Sequence, residues 1–131
     1  MSDKTLQVEV VAADRLVWSG QAVMVQARTA EGDIGVLANH APVLSVLLGG
    51  VVEITEAGGS RVFAAVSDGF LSVANNRVSV LCDHADLGAN INPSQAQAEL
   101  DALEAEGGDT PAAGASRRHA QARVSAAQRA S

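Results

Sequence analysis

Residues 5–83 form a series of short apolar segments that recur about every ten residues and are separated by turn-forming residues. In the first segment, Leu6, Val8 and Val10 alternate with polar neighbours, the period of a strand with one buried face. Regularly spaced strands of this kind are typical of a β-sandwich or barrel. Further alternating positions are Val23, Val25, Ala27, Val52, Ile54, Val62, Ala64 and Val66. This part of the chain is therefore predicted to be all β.

The clearest predicted hairpin joins the segment 70–73 to the segment 78–82. Asn75 and Asn76 lie between them, and asparagine tolerates the positive φ that a tight hairpin turn requires. The second segment ends at Cys82, the single cysteine, so no disulfide can form within the chain. Its apolar neighbours favour a small buried hydrophobe over a reactive thiol.

Aliphatic side chains must fill the core of this protein. Of the 131 residues, 47% are hydrophobic but only 2% are aromatic. Branched aliphatic residues suit strands, which agrees with the alternating pattern. The length is enough for one compact domain with an appendage.

The strand pattern ends after Asp86, and a helix is predicted to begin at Asn92. Asn92 is placed as its N-cap, Pro93 as its first residue, and Gln95 at the position that reaches back to the cap. Ala96, Leu100 and Leu103 then follow at helical spacing, and Gly107-Gly108 ends the segment.

A second helix is predicted after a flexible link of residues 107–116, which are rich in Gly, Ala and Pro. Ser116 is its expected cap, and Ala120, Val124 and Ala127 form its apolar stripe. Both helices need packing partners, because short and weakly apolar helices are unstable alone. The predicted fold is mainly β with an α appendage: a sandwich over residues 1–86 and a two-helix hairpin over residues 87–131. Whether the second helix is short or mobile stays open.

Charge is distributed unevenly along the chain. The net charge is −6, every acidic residue lies at or before Asp109, and the tail from Ser116 carries four arginines. An acidic body argues against nucleic-acid binding. The basic tail is interpreted as a solvated helix face that balances the acidic body, while docking on an acidic surface, such as the body itself, and binding of phosphate or nucleotide stay open. No apolar run reaches the roughly 20 residues that span a membrane, and residues 1–4 do not begin a signal peptide.

No constellation in the sequence predicts catalysis, a metal site or a cofactor site. His84 lies between Asp83 and Asp86, but the number and spacing of these groups do not match a zinc site. His40 lacks a nucleophile or an orienting carboxylate. Gly32 and Gly35 do not open a helix, so they do not form a phosphate-binding loop.

Two motifs suggest a family. Residues 31–44 run from Glu31-Gly32-Asp33-Ile34-Gly35 into Asn39-His40-Ala41-Pro42, and residues 67–73 read Ser-Asp-Gly-Phe-Leu-Ser-Val before a closing strand. Together with the opening residues 6–20, they resemble, in order, the epsilon subunits of bacterial and chloroplast F-type ATP synthases, which correspond to mitochondrial delta. The resemblance covers about residues 5–100.

The resemblance implies a sandwich, a helical hairpin and a role. Epsilon subunits of this family are non-catalytic parts of the central stalk, or rotor, of CF(1)-type complexes. They bind the gamma subunit and the polar loops of the c-ring, and they couple proton transport to ATP synthesis on the alpha and beta subunits. The expected location is the cytoplasmic face of the cell membrane, as a peripheral protein. Residues implied as interface or interface-supporting positions are Glu31, at the c-ring contact, and Gly32, Asn39, His40 and Pro42.

The C-terminal part departs from the family pattern. Some members bind ATP through an Ile/Leu-Asp-x-x-Arg-Ala motif, whose Asp and Arg are replaced here by Asn92 and Gln95. We therefore expect weak or no ATP binding. In some members the C-terminal helices inhibit ATP hydrolysis, and Arg117, Arg118 and Arg123 are the candidates for contact with the beta subunit.

Two other kinds of function remain open from the residues alone. One is a free-standing module that binds a nucleotide or another small ligand and signals through its helices. The other is a small enzyme that uses His40 or His84. The order of the matched motifs favours the rotor subunit over both.

Overall fold

The computed structural model describes residues 5–130, with nine strands followed by two α-helices. Residues 1–4, on which the expectation about a signal peptide rests, and residue 131 lie outside the described part. The strands are β1 (Leu6–Ala12), β2 (Arg15–Thr29), β3 (Gly32–Leu37), β4 (Val43–Leu47), β5 (Gly50–Glu56), β6 (Arg61–Val66), β7 (Gly69–Ala74), β8 (Arg77–Cys82) and β9 (Ala85–Leu87). The helices are α1 (Pro93–Glu106) and α2 (Pro111–Ala130).

The strands form a sandwich whose two parts share the long strand β2. The hydrogen-bonded order is β1-β8-β7-β4-β2-β5-β6-β9, with β3 paired to β2. The first half of β2 pairs with β1, and the second half pairs with β3 and β5. A mainly β fold with an α appendage is confirmed.

The predicted alternation is confirmed in most strands. Leu6, Val8 and Val10 of β1 are fully buried, while their neighbours are partly exposed. Val23 of β2 is an exception because it is only half-buried. The pairing of β2 with β5 shifts register between Ala22 and Met24, so Val23 leaves the inward-facing series at this bulge.

The predicted turn between β7 and β8 is confirmed. Asn75 and Asn76 have φ values of 53° and 60°, the left-handed conformation that asparagine tolerates. Strand β9 was not predicted. Asp83 and His84 are exposed, as expected of a polar exit from β8, but the chain then returns and Ala85 pairs with Val66 of β6.

The start of α1 is confirmed at the predicted residues. The Asn92 side chain accepts a hydrogen bond from the Gln95 backbone N–H at 3.0 Å, and Pro93 is the first helical residue. Ala96 and Leu100 are buried, and Gly107 ends the helix with a φ of 66°. Glycine suits this end because residues with a Cβ rarely adopt positive φ.

The predicted start of α2 is wrong. The helix begins at Pro111 and is 20 residues long, so Ser116 lies inside it and the link is confined to residues 107–110. Thr110 is the actual cap, because its Oγ1 accepts a hydrogen bond from the Ala113 N–H at 3.1 Å. Pro111 then occupies the position where the missing N–H costs least.

The predicted apolar stripe of α2 is confirmed, and it covers the sandwich. Ala120, Val124 and Ala127 are buried, and α2 packs on β5, β6 and α1. Small residues allow close approach: a Cβ on Gly88, in the turn after β9, would lie 2.2 Å from the carbonyl oxygen of Ala126. This packing buries Ala65 on the outer face of β6. The second helix is therefore neither short nor separate from the body in this structure.

Candidate functional site

The turn between β2 and β3 presents Glu31 to solvent. Thr29 is buried, and its hydroxyl donates to the Gly32 carbonyl oxygen at 2.7 Å and accepts from the Glu31 N–H at 3.2 Å. Gly32 has a φ of 119°, which strongly favours glycine. The Thr29 hydroxyl and the Gly32 conformation therefore fix the turn, and the Glu31 side chain is exposed and available to a partner.

The loop between β3 and β4 holds Asn39, His40 and Pro42. Asn39 adopts a φ of 67°, and its N–H donates to Asn76 Oδ1 at 2.6 Å. The Asn76 side-chain amide donates back to Asn39 Oδ1 at 3.3 Å, which ties the loop to the β7–β8 turn. His40 Nδ1 donates to the Ala41 carbonyl oxygen at 2.7 Å. Pro42 is exposed. Asn39 and His40 therefore shape this loop.

The structure separates the residues that the motif placed together. Glu31 and Gly32 lie at the start of β3, whereas Asn39, His40 and Pro42 lie beyond its end. A six-residue strand is about 20 Å long. The motif therefore supplies two exposed loops at opposite ends of one strand, and they do not form a single site.

The arginines of α2 contact the body of the protein. Arg117 donates to the carbonyl oxygens of Gly107 and Gly108 at 3.1 and 3.0 Å, at the end of α1. Arg118 pairs with Asp68 at 3.1 Å, and Arg123 pairs with Asp86. The alternative that the basic tail docks on the acidic body is therefore the one seen in the structure.

Arg129 makes a further contact that the sequence analysis did not single out. It pairs with Glu53 of β5, a carboxylate that is 8% exposed, and its guanidinium lies 4.7 Å from the centre of the Phe63 ring. Arg61 also pairs with Glu53, at 3.6 Å. Glu53 is nearly buried, so these two guanidinium groups satisfy a charge that would be costly to leave unpaired. The buried small residues of α2 hold the helix by packing, and the arginines fix its orientation.

An exposed apolar row crosses the sheet, and sequence reasoning missed it. Directly paired residues of β4, β7, β8, β1 and β2 form it: Val46, Phe70, Leu81, Val11 and Leu16. Val11 is half-buried, and the other four are exposed. Phe70 is 54% exposed and Leu16 is 56% exposed. Leu44, two residues before Val46, is 76% exposed. The available signal was that Phe70 and Leu81 flank the inward-facing Leu71 and Val80, so both faces of these strands are apolar.

The other candidate groups do not assemble into a reactive site. Burial raises the pKa of the Cys82 thiol to about 11, so the thiol stays protonated at neutral pH. Among residues 5–130, no group of three or more His, Cys, Asp or Glu side chains is placed to hold a metal ion. Within the same residues, neither helix is long and apolar enough to cross a membrane.

Comparison with known proteins identifies a family whose members share this β-sandwich. The family model described as "ATP synthase, Delta/Epsilon chain, beta-sandwich domain" matches residues 5–88. The ATP synthase epsilon chain of Streptomyces avermitilis is 50% identical over 105 residues, which cover 80% of this chain and 85% of the relative. The epsilon chain of Rhodococcus opacus is also 50% identical over 105 residues, covering 79% of this chain and 83% of the relative.

A solved structure shows the same fold. One chain of the Euglena gracilis mitochondrial ATP synthase, in the structure of its OSCP/F1/c-ring assembly, aligns with a TM-score of 0.72 and 20% identity. The alignment covers 97% of this chain and 81% of that chain, so it includes both helices. The family match over the whole sandwich and the 50% identity to curated relatives show that this chain belongs to the ATP synthase delta/epsilon family, among its epsilon chains.

Proposed function

We propose that this chain is a rotor subunit of a proton-translocating ATP synthase, located in the central stalk at the cytoplasmic face of the membrane. It is not itself an enzyme, since its relatives are epsilon chains. It binds the gamma subunit and the polar loops of the c-ring, and it couples their rotation to ATP synthesis by the alpha and beta subunits. Family membership supports this role, and two surfaces of the structure provide places for the contacts.

The exposed apolar row is the observation that carries the proposal. Large contiguous apolar patches are uncommon on soluble monomers, and they often mark a protein interface. Phe70, between Val46 and Leu81, is the aromatic side chain of the row, and aromatic residues often dominate binding energy at protein interfaces. We assign the gamma subunit to this row, because a permanent partner would keep these side chains from water.

The Glu31 turn supplies the second contact, with the polar loops of the c-ring. Glu31 is exposed on a turn that Thr29 and Gly32 hold in place. A charged side chain on a fixed turn suits recognition of polar loops, because little conformational freedom is lost on binding. The loop of Asn39, His40 and Pro42, at the other end of β3, would support a different part of the stalk interface.

Inhibition of ATP hydrolysis by α2 would require a rearrangement. Arg118 and Arg123 pair with Asp68 and Asp86 of the sandwich, so they reach acidic groups of the beta subunit only after α2 leaves the sheet. Arg117 is held at the end of α1. With α2 docked on the sandwich, these three arginines are bound within the chain and do not contact the beta subunit.

The absence of ATP binding remains a prediction. Asn92 occupies the position of the aspartate in the family's ATP motif. Its Oδ1 accepts a hydrogen bond from the Gln95 N–H, so this residue caps α1. Neither Asn92 nor Gln95 supplies the charge that the ATP motif uses.

A coupling assay tests the role. Membranes that lack this chain should lose most ATP-driven proton pumping, because rotation is no longer transmitted through a complete stalk. Adding the purified chain should restore pumping. The Glu31→Ala chain should restore it less well than the Glu56→Ala chain, in which a half-buried carboxylate outside the motif is removed. Proton pumping that does not depend on the chain would contradict the proposal. The readout is quenching of a pH-sensitive dye, with ATP hydrolysis measured in parallel.

A further inference from the structure

Two histidines meet where α2 packs on the sandwich. His84 lies in the connection between β8 and β9, and His119 lies on α2. Their ring centres are 6.1 Å apart, with 35° between the ring planes. The rings belong to the two parts that separate if α2 leaves the sheet, so their protonation bears directly on that contact.

His119 is placed to be neutral when α2 is docked. Its Nδ1 atom is buried and has no hydrogen-bond partner among the described residues. A neutral imidazole can leave Nδ1 as an unprotonated acceptor, whereas the charged form carries a proton on both nitrogens. Protonation would therefore place a charge on a partly buried ring and add an N–H at Nδ1, which has no hydrogen-bond partner; the Val66 backbone offsets only part of this cost.

The charged groups around His119 do not favour a positive charge on its ring. Arg123 of α2 pairs with Asp86 of β9, and Arg15 of β2 lies 3.2 Å from the same carboxylate. The negative charge of Asp86 is therefore already shared by two guanidinium groups. His84 itself would add a further positive charge when protonated.

The other charged groups near the contact between His84 and His119 either pair with an arginine or are exposed to solvent. Asp68, in the β6–β7 connection, pairs with Arg118. Glu99 of α1 lies 3.8 Å from Arg123 Nε. Asp83 is exposed next to His84. From β6, the contributing group is the Val66 backbone and not a charged side chain.

The direction of the pKa shift agrees with this geometry. Burial lowers the pKa of His119 below its ordinary value of 6.5, and the charges of Arg123 and His84 lower it further. The Val66 backbone and Asp86 act in the opposite direction without reversing the shift.

We propose that protonation of His119 weakens the docking of α2 on the sandwich, so that the docked arrangement is strongest at neutral pH and the released form gains population on acidification. The released helix regains an imidazole of ordinary proton affinity, so protons bind the released form more tightly than the docked form. Docking is therefore at full strength above pH 6.5 and weakens as the pH falls below that value. For one proton, the docking equilibrium changes by at most about tenfold per pH unit. The inference concerns the chain alone and does not depend on binding to gamma.

Nuclear magnetic resonance of the full-length chain between pH 7.5 and 5.0 tests the inference. The contact between Gly88 and Ala126 reports docking, because the Ala126 backbone lies against Gly88. Amide signals of Val8 and Val80, in the sandwich core, report whether the fold persists. We expect the Gly88–Ala126 contact to weaken on acidification while the core signals stay in place.

Three variants make the result specific. In His119→Gln the docking equilibrium should no longer depend on pH between 7.5 and 5.0. His84→Gln removes one positive neighbour of His119, so a smaller fraction of α2 should be released at pH 5 than in the unchanged chain. If His119→Gln fails to dock, this second variant still tests whether the charge near His119 controls docking. His40→Gln, in a distant loop, should behave as the unchanged chain. A Gly88–Ala126 contact that is as strong at pH 5 as at pH 7.5 in the unchanged chain, or an identical pH response in the His84 and His119 variants, would overturn the proposal.

Discussion

Replacing Gly69 by alanine should destabilise the sandwich by about 3 kcal/mol, the upper part of the usual range for forcing extra atoms into a packed structure. Gly69 begins β7 and pairs with Cys82 of β8. A Cβ at this position would lie 1.9 Å from the Leu81 carbonyl oxygen and 2.9 Å from the Cys82 Cα. Both are backbone atoms, so no side-chain rotation relieves the overlap and the two strands must move apart. Urea denaturation measures the change as a lower free energy of unfolding.

Gly35→Ala is the matched control for this prediction. Gly35 also lies in a strand, β3, but nothing stands within 4 Å of a Cβ built on it. Its free energy of unfolding should stay within about 0.5 kcal/mol of the unchanged chain. Equal losses in the two variants would show that the close approach of β7 and β8 is not what requires glycine at residue 69.

Phe70→Asp should weaken binding to the cognate gamma subunit by about 100-fold, because loss of an aromatic anchor costs about 2 kcal/mol or more and a charge is left facing an apolar partner. The fold should survive, since Phe70 is already 54% exposed. Calorimetric titration of gamma with each form of the chain gives the dissociation constants.

Leu37→Asp is the matched control for the binding prediction. Leu37 is 56% exposed, close to the value for Phe70, but it lies on β3 and outside the apolar row. Its effect on the dissociation constant should be several times smaller. If both variants bind gamma as tightly as the unchanged chain, the apolar row is not the docking surface.

Local patterns predicted the strands and the first helix well. The alternation of Leu6, Val8 and Val10 reports burial directly, because successive strand residues face opposite sides of a sheet. Asn75-Asn76 and Asn92-Pro93 also carry their signal within a few residues, as a turn and as a helix start. Each of these features is set by neighbours in sequence.

Features that depend on distant partners could not be predicted in this way. Strand β9 has only three residues and exists because Ala85 and Leu87 pair with the edge of β6. The composition of residues 111–116 suggested a flexible link, but alanine favours helix and packing of α2 on the sheet stabilises the single Gly114 within it. Thr110-Pro111 was the local signal that would have placed the start correctly.

For the candidate surfaces too, local motifs identified individual residues, but their arrangement depends on partners that are distant in sequence. Residues 31–42 were found by their motif, but their split into two loops follows from the length of β3, which lies between them. The apolar row joins residues of five strands that are far apart in sequence, through the parallel pairing of β1 with β8 and the antiparallel pairings beside it. Arg118 and Arg123 were singled out, but their partners Asp68 and Asp86 depend on where α2 docks.

Binding of the full-length chain to its cognate gamma subunit is the most direct test of the rotor assignment. We expect a stable one-to-one complex that co-elutes in gel filtration and gives a measurable heat of binding. The absence of any complex at micromolar concentrations of both proteins would contradict the assignment. A ligand-binding module would then become the leading hypothesis. The groove of about 510 Å³ between α2 and the sheet, lined in part by Arg28, Arg118 and Arg129, would be the place to search for its ligand.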